Sequence, residues 1–175
     1  MRVRTSLVRV VGLMIAAVVL AGCGTPPPTY SSGIVDLGPL GSYGWSGRPL
    51  SIIGNVSHYQ PGPEHTVRLH VLGTDDPFTS GALSMTRIGP ADDARLPSVG
   101  HYVAGEDGWD LKVYQSFQGY EVTSLTISEL TYGNPVNESP DPSTPEWFYG
   151  VTRLRATFTF LLPSGEEVEG FARVD

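Results

Sequence analysis

The chain has 175 residues, with 11 basic and 18 acidic side chains and a formal charge of −7. An acidic chain repels phosphate backbones and anionic headgroups, which argues against nucleic acid as a partner and against membrane attachment by charge. Cys23 is the one cysteine, so no intramolecular disulfide can form and the fold must rest on its apolar core.

At the N-terminus Arg2, Arg4 and Arg9 precede an uncharged, almost wholly apolar run from Val10 to Leu20. A bilayer-spanning helix needs about 20 apolar residues, so this run is too short for a durable span. It reads as the h-region of a secretory signal peptide covering residues 1–22. The run ends in Leu20, Ala21, Gly22 and Cys23, which resembles the lipobox of bacterial lipoproteins. That resemblance implies a diacylglyceryl group on the Cys23 sulfur, cleavage before Cys23 and acylation of the new amine. Two or more acyl chains on one residue anchor a protein stably. The implied partner is therefore a membrane, reached through lipid on Cys23 on the extracytoplasmic side of the cell envelope. That is the cell membrane, or the outer membrane if the organism has one, since Gly24 is not the aspartate that signals inner-membrane retention. Removing residues 1–22 leaves 153 residues, enough for one domain, with eight basic against 18 acidic side chains, a balance of −10.

Residues 23–32 hold the lipid-bearing cysteine and a tether with Pro26, Pro27 and Pro28. Nine residues of polyproline-like chain from Gly24 reach up to about 28 Å, at roughly 3.1 Å each. Residues 33–175 read as a single all-β domain. Gly44-Trp45-Ser46-Gly47 looks like a glycine-rich turn, one residue short of a Gly-x-Ser-x-Gly nucleophile motif and with no helix after it. Strands are expected over Pro49 to Ser57, His65 to Leu72, Ala82 to Ile88, Gly100 to Ala104, Trp109 to Gln115 and Glu121 to Leu130. The longest runs from Phe148 to Leu162, where Leu154, Ala156, Phe158 and Phe160 alternate with Arg153, Arg155, Thr157 and Thr159. Pro163, Ser164 and Gly165 turn the chain, and Glu167 to Val174 returns beside it. The best helical candidate, Ala91 to Leu96, is little more than a turn. Gly133 to Glu146 carries Pro135, Pro140, Pro142 and Pro145 and reads as a long acidic loop. Seven or eight strands point to an antiparallel β-sandwich, with a closed β-barrel as the alternative. Leu125 to Ile127, the Thr-Phe-Thr-Phe run at Thr157 to Phe160, and Gly170-Phe171 together resemble a β-sandwich domain of bacterial lipoproteins over roughly the last third of the chain. That resemblance implies no activity.

His58, His65, His70 and His101 lack the His-x-x-x-His spacing of a helical metal site, and they are expected on a polar strand face or near turns. Glu106-Asp107-Gly108-Trp109-Asp110 is the best local calcium candidate, with Gly108 allowing a bend that turns Asp107 and Asp110 inward. Trp147, Tyr149, Arg153 and Arg155 share one parity and are expected to line the exposed side of the long strand. Aromatics and arginines of that kind are enriched at binding surfaces. With no nucleophile–base pair or metal spacing in view, the domain reads as a non-catalytic binding or scaffolding module with an envelope partner, not an enzyme. The alternatives are a barrel carrying a small apolar ligand and an enzyme whose site assembles from distant loops.

Overall fold

The computed structural model describes residues 30–49, 54–59, 64–73, 80–90, 95–137 and 146–175. The signal segment, Cys23 and residues 24–29 lie outside these, as do 50–53, 91–94 and 138–145. The described strands are β1 (Tyr30–Asp36), β2 (Ser42–Pro49), β3 (Gly54–Tyr59), β4 (Glu64–Leu72), β5 (Gly81–Pro90), β6 (Gly100–Val103), β7 (Trp109–Gln115), β8 (Gln118–Asn137), β9 (Glu146–Leu161) and β10 (Glu167–Val174).

The domain is all-β, and its strands close into a barrel in the order β3, β4, β5, β7, β8, β9, with β9 returning to β3. Closure depends on the lengths of β8 and β9, 20 and 16 residues, because each serves two partners along one edge. β9 pairs with β3 over Glu146–Gly150 and with β10 over Leu154–Leu161. β8 pairs with β7 near its start and with β6 over Ser124–Ile127. β1 and β2 continue the sheet beyond β10.

Alternation sorts the side chains. β4 buries His65, Val67, Leu69 and Val71 and turns Thr66, Arg68 and His70 outward. Across the barrel this builds rows such as Tyr149–Val56–Leu69–Met85–Leu111 and Val71–Leu83–Val113–Tyr120. Val56, Leu69, Met85, Leu83 and Leu111 are wholly buried, so side chains occupy the interior, as six strands require. Each such residue contributes roughly 1.5–3 kcal/mol through burial. One barrel end is plugged by the chain leaving β1. Leu37 is buried, and a short 3-10 turn at Gly38–Leu40 brings Tyr43 across the opening. Tyr43 Oη donates to the Leu40 carbonyl at 2.8 Å, and Gln115 Nε2 donates to the same carbonyl at 2.7 Å and to Tyr43 Oη at 3.0 Å. A methyl group at Gly73 or Gly81 would overlap Tyr43, so both glycines are needed for its seat.

Several expectations change. Gly44-Trp45-Ser46-Gly47 is not a turn but the middle of β2, with Tyr43 and Trp45 packed against the core. Gly44 between them and Gly47 after them hid a period of two. β1 takes in Tyr30 to Ser32, which the sequence assigned to the tether. Gly133 to Asn137 is not loop either, because β8 runs on to Asn137 with Pro135 opposite Tyr149. Beyond Ile127, β9 is the one ladder partner of β8 among the described residues, so a proline without an N–H is tolerated on that edge. A register shift between Tyr132 and Pro135 absorbs the irregularity. Arg95 and Leu96 are not helical, and the rest of Ala91 to Leu96 lies outside the described residues.

Candidate functional site

Strand geometry puts every second side chain on the outside of the barrel. On β4, β5 and β7 the outward rows are Arg68–Thr86–Asp110, His70–Ser84–Lys112 and Leu72–Ala82–Tyr114. Short residues fall on the middle strand, so the rows form a trough of about 440 Å³ with Thr86, Ser84 and Ala82 as its floor. Arg68, His70 and Leu72 make one wall, and Asp110, Lys112 and Tyr114 the other. Neighbouring strands lie about 4.8 Å apart, so the walls stand roughly 10 Å from each other. Ala82 and Ser84 are only 5% and 9% exposed, yet neither belongs to the core cluster. Longer neighbours on both sides shield them.

The two walls differ electrically. Lys112 lies 3.2 Å from Asp110, whose hydrogen bond and charge raise the ammonium pKa above its ordinary value. On the other wall Arg68 is exposed, and among the described residues no carboxylate pairs with it. His70 beside it is pushed below the usual imidazole pKa, first by burial and then by the Arg68 charge. It is therefore neutral near pH 7, with one nitrogen donating and one accepting. Tyr114 owes its position to Gly119 opposite, where a Cβ would come within 3.1 Å of the ring.

A second concavity, about 460 Å³, lies outside β8, β9 and β10 over the rows Thr126–Thr157–Phe171 and Ser124–Thr159–Glu169. His101 Nδ1 lies 3.0 Å from Thr126 Oγ1, an exposed cross-strand pair. Asp36 at its edge accepts from the Gly38 N–H at 2.9 Å.

The sequence-predicted residues are dispersed. Arg153 and Arg155 are exposed, but both donate to Glu129, at 3.2 and 3.0 Å, and Arg155 also lies 3.6 Å from Asp175, which pairs with Arg173. Trp147 and Tyr149 do not share their face. Thr131 stands opposite Arg153 and Tyr132 opposite Val151, so Thr152 is an extra residue that reverses the parity of β9. Val151 is buried on one side of it and Leu154 on the other. Tyr149 therefore packs against the core, edge-on to Tyr132, with ring centroids 6.0 Å apart. Trp147, half-buried, stands opposite His58 on β3. Asp107 and Asp110 part company as well. Asp110 belongs to the trough wall, while the Asp107 carbonyl accepts from buried Arg87 Nε at 2.7 Å, and Arg87 also lies over the Trp109 ring at 5.8 Å. Among the described residues no three His, Cys, Asp or Glu side chains converge on a metal position.

Two histidines do meet. His58 Nε2 lies 2.5 Å from His65 Nδ1, with stacked rings 4.6 Å apart and His65 only 6% exposed. Burial, and then His65, hold His58 below its ordinary pKa. The trough itself, with Arg68, His70, Ser84, Lys112 and Tyr114, was not singled out from the sequence. Its signal was the polar parity of three strands, which becomes a surface only once their register is known. No protein-family model matches the chain, and neither a curated protein nor a solved structure matches it at a significant level.

Proposed function

We propose that the protein is a membrane-anchored extracytoplasmic lipoprotein, held by lipid on Cys23, whose barrel binds a polar ligand in the trough outside β4, β5 and β7 without altering it chemically. The observation that carries this reading is the set of polar groups presented over a shielded floor: Arg68 with no carboxylate partner among the described residues, neutral His70, and the hydroxyls of Ser84 and Thr86. Of these Ser84 is withdrawn from water, where a polar group loses stability unless something hydrogen-bonds it, and a ligand supplies that partner. At the trough residues β4 and β5 are paired on both edges, and β7 is paired with β5 throughout and with β8 from Lys112, so the groups are held on a rigid surface. With side chains filling the interior, the reading places the ligand outside the barrel. The alternative of an apolar ligand inside it gains no support from that packing.

The test is retention of small molecules from an envelope extract of the native cell by the purified protein, read by mass spectrometry. Ala82→Trp and Thr86→Trp fill the trough without touching the core. Both variants should melt like the wild type and lose the retained compound. Equal retention by folded wild type and both variants would remove the trough as the binding site.

A further inference from the structure

We infer that the ligand of this trough is an acidic saccharide, a short run of sugar rings whose carboxylate meets Arg68. The inference rests on the trough being the binding site. Extended peptides commonly bind sheets by adding a strand to a free edge. Here β4 lies between β3 and β5, β5 lies between β4 and β7 over Gly81–Arg87, and β8 covers β7 over Lys112–Gln115, so the trough presents the face of paired strands and not a backbone edge. Recognition falls to side chains alone. Those of Ser84, Thr86 and Tyr114 are hydroxyls, each able to donate and accept, which is also the chemistry of a sugar hydroxyl. The Leu72–Ala82–Tyr114 row adds an apolar, aromatic platform for the C–H face of a sugar ring.

Charge selects the acid. Lys112 is committed to Asp110, His70 is neutral, and among the described residues Arg68 is the cation of the trough with no carboxylate paired to it, in a protein whose net charge is −7. The planar guanidinium fork fits a carboxylate through two parallel hydrogen bonds. From Arg68 to Leu72 is four residues of strand, about 14 Å, the span of a disaccharide carrying an acid group.

The test is calorimetric titration of the lipidated protein in detergent micelles with uronic-acid disaccharides, their neutral counterparts and a diglutamate peptide. The uronates should bind at least tenfold more tightly than the neutral sugars, and less tightly as salt rises. Arg68→Gln should abolish that difference without changing the melting temperature, and Tyr114→Ala should weaken both sugars together. Uronates binding no better than neutral sugars, or a preference that survives Arg68→Gln, would overturn the inference. Diglutamate binding that Ala82→Trp blocks, with no sugar bound, would overturn the saccharide and leave the trough as the site. If instead Ala82→Trp and Thr86→Trp retain every ligand, the site itself falls.

Discussion

His58 and His70 are both held below the ordinary imidazole pKa, chiefly by burial, and this ties stability to pH. In the unfolded chain each takes up a proton near pH 6.5, while the folded state keeps it neutral to lower pH. The unfolded state therefore binds more protons in that interval, so their contribution is complete above about pH 6.5 and is lost as pH falls below it. Thermal melts should show a decline between pH 7 and 5 that is shallower in His58→Gln and in His70→Gln. A parallel decline in all three proteins would assign the effect elsewhere. Neither histidine advertised this. His58 and His65 are seven residues apart, and their contact exists because Val67 stands opposite His58 in the β3–β4 pair. Arg68 and His70 were legible as the polar side of a strand, but not as a wall, since the opposite wall comes from β7, some 40 residues on.

Thr152 shows how one residue of a strand decides what its neighbours do. Period two over Phe148 to Leu162 identifies a strand, and from Leu154 onward it assigns the buried face correctly. Carried back across Thr152 the same period places Tyr149 in solvent, whereas the bulge turns it to the core. A bulge leaves no mark in an apolar–polar pattern, which is why this half of the strand was misassigned. Deleting Thr152 should force Tyr149 outward or shift the β8–β9 register, at a cost of about 3 kcal/mol or more, roughly 10 °C in melting temperature. Arg153→Ala on the same strand removes one exposed ion pair and should cost no more than about 1 kcal/mol. Similar melting temperatures for the two variants would contradict the bulge as the device that sets the face. β1 and β2 were missed for a related reason. Their buried positions include Gly33, and their outward ones Gly44 and Ser46, residues that carry little hydrophobic contrast.

At the scale of the whole molecule, alternation makes the all-β class and most strand positions legible, while closure of the barrel is not. Closure requires β9 to pair with β8 on one edge and β3 on the other, and that depends on long-range register. Six residues, 24–29, separate Cys23 from β1, so covalent geometry keeps the first strand within about 25 Å of the cysteine proposed as the lipid anchor. Cys23→Ser should release the protein from membranes and halt processing at that position, with the melting temperature of the domain unchanged. The most direct measurement is the intact mass of wild-type protein purified from the membrane fraction. A chain beginning at Cys23 and carrying a diacylglyceryl group is the predicted result, and an unmodified Cys23 or an N-terminus at Met1 would contradict the account.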